Sequence, residues 1–157
     1  MNSIAFKLVN KLKKKKLKVS FAESCTGGII SSMITSISGS SKVFNFSIVT
    51  YSNESKHSLL NVSRKTIKKY GAVSKEVCMS MLENLSKVNK GNISLSVTGV
   101  AGPNGGTKEK PVGLVFIGLK NMNKTIVKKF FFKNKSRSLI QKAAAKKALI
   151  LILNSIK

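Results

Sequence analysis

Apolar residues recur along this chain with two periods, and the switching between them marks alternating helices and strands. Ile4, Ala5, Leu8, Val9 and Leu12 follow the helical repeat, so residues 3–14 are expected to form an amphipathic helix. Lys13 to Lys16 close it, where cations complement the helix dipole. Lys18 to Ala22 reads as a short strand. Ile29, Ile30, Met33, Ile34 and Ile37 share one face of a second helix, Thr26 to Ile37, ended by Gly39. Val43 to Tyr51 is rich in β-branched and aromatic residues, as strands are. Short helices are expected at 53–60 and 63–70, the second stopped by Gly71. A longer one spans 74–89, with Val77, Met81, Leu82, Leu85 and Val88 on its apolar face.

Ile93, Leu95 and Val97 alternate with Ser94, Ser96 and Thr98, the pattern of a half-buried strand. Val112 to Leu119 is nearly all apolar and reads as a central strand. Thr125 to Phe132 carries Lys128 and Lys129 in mid-run, which suits an edge. Residues 136–156 form the closing helix. This alternation defines an α/β class with helices on both faces of a sheet. The connection Lys120 to Lys124 is too short for a parallel crossover, so the last two strands are antiparallel and the sheet is mixed.

With 157 residues, 42% of them hydrophobic, the chain can bury one core without staples, so residues 1–157 read as one domain. No apolar run reaches membrane-spanning length, and no apolar block follows the basic start as in a secretory signal. Cys25 and Cys78 form no CxxC pair and read as reduced thiols, the expectation for a cytoplasmic protein. The 29 Lys and Arg outweigh five glutamates, giving a net charge of +24 that attracts polyanions and anionic metabolites. Only Arg64 and Arg137 are arginines, and the lysines are scattered rather than interleaved with aromatics. That pattern favours a solvated lysine surface, with nucleic-acid binding as the second reading.

Three polar or glycine-rich segments lie at expected strand ends, where open α/β sheets place their sites. Glu23 to Gly28 joins a strand to a helix, and its free N–H groups suit a phosphate or an oxyanion. Gly39-Ser40-Ser41, followed by Val49 to Lys56, supplies serines, Tyr51 and Lys56. A serine nucleophile needs a base. His57 is the only histidine and there is no aspartate, so a Ser-His-Asp triad is impossible, although a glutamate could substitute. Lys56 can serve as base if burial lowers its pKa, with Tyr51 relaying a proton or orienting an amide. Thr98 to Thr107 is glycine-dense and suggests a loop whose backbone wraps a ligand. It is neither a Walker loop nor a dinucleotide fingerprint. One histidine, two separated cysteines and scattered glutamates make no metal cluster.

Ala22-Glu23-Ser24-Cys25-Thr26-Gly27-Gly28, Val49-Thr50-Tyr51-Ser52-Asn53-Glu54-Ser55-Lys56, Tyr70-Gly71-Ala72-Val73-Ser74, Thr98-Gly99-Val100-Ala101-Gly102-Pro103 and Glu109-Lys110-Pro111-Val112-Gly113 occur in this order. Across residues 3–155 the chain resembles the CinA C-terminal domain family, whose characterised members are nicotinamide-nucleotide amidases. The resemblance implies a three-layer α/β/α sandwich with a mixed, mostly parallel sheet. It also implies a stand-alone form, a homodimer, no cofactor and no metal. The implied reaction hydrolyses nicotinamide mononucleotide to nicotinate mononucleotide and ammonia. Its implied catalytic residues are Ser24, Ser41, Tyr51 and Lys56, with either serine as nucleophile. Substrate binding falls to Thr26, Gly27 and Gly28, to Thr98, Gly99, Gly102, Gly105 and Gly106, and to Arg137. Two departures from the family stand out. Lys135-Ser136 replaces a Gly-Asp pair, and Gln141 replaces a second arginine, which implies a weaker grip on phosphate that Lys133, Lys135 or Lys142 would offset by charge. The rival reading is a non-catalytic paralogue that binds a nucleotide or nucleic acid.

Overall fold

The computed structural model describes residues 3–133 and 136–157, so Lys135 lies outside the described residues. Helix α1, Ile4–Lys15, starts where the Ser3 hydroxyl accepts the Phe6 N–H at 3.2 Å, and it buries Ala5, Leu8, Val9 and Leu12. Strand β1, Val19–Glu23, is buried along its whole length. Helix α2, Ile29–Thr35, is shorter than its apolar repeat suggests. Thr26 to Gly28 form a turn instead, with Gly27 and Gly28 at φ of +56° and +98°, a region glycine enters without steric cost. Gly39 does not end that helix but opens a 3₁₀ turn, Ser40–Lys42. There follow β2 (Phe44–Val49), α3 (Asn53–Leu60), α4 (Arg64–Tyr70), α5 (Lys75–Val88) and β3 (Ile93–Gly99). The chain closes with β4 (Leu114–Asn121), β5 (Lys124–Phe131) and α6 (Arg137–Ser155). Strand β4 begins after Gly113, whose φ of +97° and closeness to the Phe132 carbonyl leave no room for a Cβ.

The sheet order is β2-β1-β3-β4-β5. β1 is parallel to β2 and β3, and β4 is antiparallel to β3 and β5. Only β4 therefore runs against the rest, giving the mixed, mostly parallel sheet expected. Helices α1, α2 and α6 cover one face, packing Leu8, Ile30, Ile34 and Leu149 on Phe21, Leu95 and Ile117. On the other face Val77, Met81 and Leu85 of α5 pack with Ala22, Leu60 and Val62.

That second face corrects the half-buried reading of β3. Ser94, Ser96 and Thr98 are all buried, and each hydroxyl is hydrogen-bonded: to Asn89 Nδ2 (2.9 Å), the Cys78 carbonyl (2.8 Å) and the Ala72 carbonyl (2.8 Å). Small residues let α5 sit close to the sheet. Gly118 pairs with Ser96, and a Cβ there would lie 2.6 Å from Ser96 Oγ and 3.1 Å from Leu82. Gly118→Ala is expected to lower stability by about 1–3 kcal/mol through overpacking, read from the urea midpoint. Among the described residues, no helix is long and apolar enough to cross a membrane.

Candidate active site

The carboxyl ends of β1, β2 and β3 are tied together, since the Thr50 N–H donates to the Glu23 carbonyl at 2.8 Å and the Ser24 N–H to the Val97 carbonyl at 3.0 Å. The turn beyond β1 is organised by Glu23, whose side chain is fully buried. Its Oε2 accepts from Thr26 Oγ1 (2.8 Å), Gly28 N (3.0 Å) and Ile30 N (3.1 Å). Its Oε1 accepts from Ser31 N (2.9 Å), Ser31 Oγ (2.6 Å) and, more weakly, Ser47 Oγ (3.5 Å). The role of Glu23 went unread in the sequence. Its signal was a lone acid between an apolar strand and a turn rich in hydroxyls.

This corrects the expected oxyanion site. The Gly28 N–H is engaged by Glu23 and the Gly27 N–H by the Ser24 carbonyl at 3.0 Å. Thr26 is buried with its hydroxyl on Glu23. The start of α2 thus already holds an anion, the chain's own carboxylate, so Thr26, Gly27 and Gly28 shape the turn that carries Ser24 rather than meet a ligand through these groups.

Helix α3 brings in the base. Ser52 and Ser55 cap its start reciprocally, with Ser55 N on Ser52 Oγ at 3.0 Å and Ser52 N on Ser55 Oγ at 3.1 Å. That start places Lys56 on the inner face, 1% exposed. Lys56 Nζ donates to the Thr50 carbonyl at 2.9 Å and lies 2.9 Å from Ser24 Oγ. Burial lowers its pKa from 10.5 to about 8, and among the described residues no carboxylate forms an ion pair with it. The Thr50 hydroxyl beside it is buried with no hydrogen-bond partner among the described residues. Cys25 is no rival nucleophile: burial raises its thiol to about 12, so it stays protonated. His57 points elsewhere, with Nδ1 2.9 Å from the Val62 carbonyl.

Ser24 opens into a cleft of about 260 Å³ lined also by Tyr51, Val73, Asn104, Gly105 and Arg137. Gly99 and Gly102 border it, and a Cβ on Gly99 would lie 2.7 Å from Val115. Gly106 packs against Val112 outside the lining. Arg137, the first residue of α6, donates Nη1 to the Gly102 carbonyl at 2.7 Å and Nη2 to the Tyr51 hydroxyl. Tyr51 is 55% exposed and so stands at the rim with Arg137, not on the Ser24–Lys56 pair. Thr98 is buried, and its bond to Ala72 holds the segment bearing Val73, so it shapes the wall without reaching the cleft. Gln141 donates to the Cys25 carbonyl at 2.9 Å, bracing α6 against the serine turn.

Ser41 is not brought to this site. It is exposed in the 3₁₀ turn before β2, whereas Tyr51 follows that strand. The length of β2, about 20 Å at ~3.3 Å per residue, separates the two. The expectation that Ser41 faces Tyr51 across the cleft is therefore overturned. Among the described residues, no three His, Cys, Asp or Glu come together as a metal site would require.

A serine in contact with a buried lysine, under a glycine-rich loop at the carboxyl edge of the sheet, defines an α/β domain with a serine–lysine site. Residues 1–156 match the CinA C-terminal domain, and the chain belongs to that family. It is 52% identical over 136 residues to a CinA-like protein of Prochlorococcus marinus strain MIT 9312, covering 85% of this chain and 32% of that protein. The chain thus spans about a third of the length of such curated relatives. The competence/damage inducible protein CihA of Agrobacterium tumefaciens superposes with a TM-score of 0.92 at 36% identity, over 97% of this chain and 94% of that one. A competence or damage-inducible protein of Enterobacter asburiae gives a TM-score of 0.90 at 26% identity over the whole of both chains.

Proposed function

We propose that this chain hydrolyses the carboxamide of nicotinamide mononucleotide, with Ser24 as nucleophile and Lys56 as its base. The observation that carries this reading is the 2.9 Å contact between Ser24 Oγ and a buried Lys56 whose pKa is lowered to about 8. A base works best when its pKa lies near the operating pH. At pH 7 roughly one Lys56 in ten is neutral, given a pKa of about 8. In that form its lone pair accepts the Ser24 proton while an N–H remains on the Thr50 carbonyl.

The serine oxygen attacks the carboxamide carbon, and the carbonyl electron pair moves onto oxygen. Collapse breaks the C–N bond, and Lys56 returns its proton to the leaving nitrogen, so ammonia departs and an acyl ester stays on Ser24. Water attacks this ester with Lys56 taking its proton. The Ser24 oxygen leaves, is reprotonated, and nicotinate mononucleotide is released. Arg137 and Asn104 at the cleft mouth suit the ribose phosphate, and the net charge of +24 draws in an anionic substrate. The substrate's identity comes from the family and not from the cleft.

The test is incubation of the purified chain with nicotinamide mononucleotide. The reading expects ammonia and nicotinate mononucleotide in equal amounts; neither product at any pH between 6 and 9 would sink it. The pH profile is fixed by the base. Because Lys56 acts when deprotonated, kcat/KM is expected to rise about tenfold per pH unit below pH 8 and level off above it.

A further inference from the structure

The end of the sheet opposite the cleft carries lysines from loops and strands that are distant in sequence. Lys13 to Lys16 end α1, and Lys18 leads into β1. Gly39 lies next to the Lys13 ammonium, which brings the 3₁₀ turn bearing Lys42 beside them. The Asn92 N–H donates to the Lys18 carbonyl at 3.1 Å, so the loop carrying Lys90 and the end of α5 with Lys87 adjoin this group. Lys120 Nζ reaches Ser86 Oγ on α5 at 3.3 Å. Asn121 donates to the Ser155 carbonyl at 3.0 Å, which sets the end of α6 beside β4, and Lys124 and Lys157 line one groove there.

Carboxylates are distributed oppositely. Glu23, Glu54, Glu76 and Glu109 all belong to the cleft end, and Glu83 sits within α5. Helix dipoles account for Lys13 to Lys15 and for Lys87, which lie in last turns. They do not account for Lys18, Lys90, Lys120, Lys124 or Lys157, which lie outside helices, and Lys42 ends only a three-residue 3₁₀ turn. Like charges gathered without counter-ions repel, and a polyanion relieves that repulsion while releasing its own condensed cations.

We infer that this basic pole binds the phosphate backbone of a nucleic-acid duplex without reading its sequence. The composition of the pole selects this occupant. It has no arginine, whose fork reads guanine, so the contacts are point charges on phosphate. It has no exposed aromatic ring for bases to stack on, which disfavours a single strand. An anionic membrane is the competing polyanion, and exposed Met122 and Val88 alone give little apolar surface to insert.

The test uses a mixed-sequence 20-base-pair DNA duplex and fluorescence anisotropy. If about four phosphates are neutralised, affinity falls on the order of 100-fold between 50 and 200 mM KCl. A pole variant combining Lys15→Glu, Lys18→Glu, Lys42→Glu and Lys90→Glu is compared with a control set, Lys65→Glu, Lys68→Glu, Lys129→Glu and Lys146→Glu. Both sets change net charge equally, and both must retain the wild-type unfolding transition; single Lys→Gln variants replace any set that does not. The inference expects the pole set to lose at least about 30-fold in affinity and the control set about threefold or less. Equal losses, no duplex binding at 50 mM KCl, or pole-dependent binding to phosphatidylserine vesicles without duplex binding would each overturn it.

Discussion

Lys56→Met is expected to lower kcat for ammonia release by at least about 1,000-fold while leaving the protein folded. General bases contribute on the order of 10²–10⁴-fold, and here the base also delivers the proton to the departing nitrogen, so both halves of acyl transfer fail together. Methionine fills nearly the same space, and the Thr50 carbonyl and the Ser24 hydroxyl are the acceptors left without their lysine donor. The stability profile should change in a characteristic way. Folded Lys56 has a pKa of about 8, below its ordinary 10.5. Between those values the unfolded chain holds a proton that the folded chain has lost, so wild-type stability rises with pH across that window. The variant lacks this rise. Urea midpoints at pH 7 and pH 10 measure it: the wild type gains on Lys56→Met at the higher pH. Activity within tenfold of wild type would remove Lys56 from the chemistry.

Glu23→Ala is expected to be the most damaging single change to the fold of the site, costing about 3–5 kcal/mol. The carboxylate satisfies the N–H groups of Gly28, Ile30 and Ser31 and the hydroxyls of Thr26 and Ser31. Each buried donor left unmade costs about 1–3 kcal/mol, reduced where water can enter the hole. For a chain of this length that is roughly a 10 °C fall in melting temperature, readable by calorimetry. Glu23→Gln should recover only part of the loss. Its amide nitrogen has to face groups that themselves donate, whichever way it is turned. A Glu23→Gln protein as stable as wild type would mean that the charge on this residue does not organise the turn.

Much of the architecture was legible because each apolar repeat was long enough to identify its element. The weak points were local. Thr26-Gly27-Gly28 resembles a helix start in pattern, but two glycines at positive φ make it a turn and delay α2 to Ile29. The serines of β3 read as solvent-facing, yet they lie beneath α5 because their hydroxyls find partners there. Within the site, Lys56 was readable as a candidate because the chain has no aspartate and one histidine, and the structure removes His57 by turning it to the Val62 carbonyl. Ser24 and Ser41 could not be ranked by residue type, since both lie in turns of small residues. Topology ranks them: Ser24 follows β1 and Ser41 precedes β2, so they occupy opposite ends of parallel strands. Motif matching assigned Thr98 to the ligand, whereas its buried hydroxyl serves Ala72. The scattered lysines also gain a pattern only in three dimensions, because loops entering successive parallel strands share one end of the sheet.

The reacting centre is tested most directly by measuring ammonia release from nicotinamide mononucleotide with Ser24→Ala and Ser41→Ala side by side at pH 8. The pairing of Ser24 with buried Lys56 predicts loss of turnover by at least about 1,000-fold in Ser24→Ala and activity within about twofold of wild type in Ser41→Ala. Retained activity in Ser24→Ala, or its loss in a folded Ser41→Ala protein, would contradict the account.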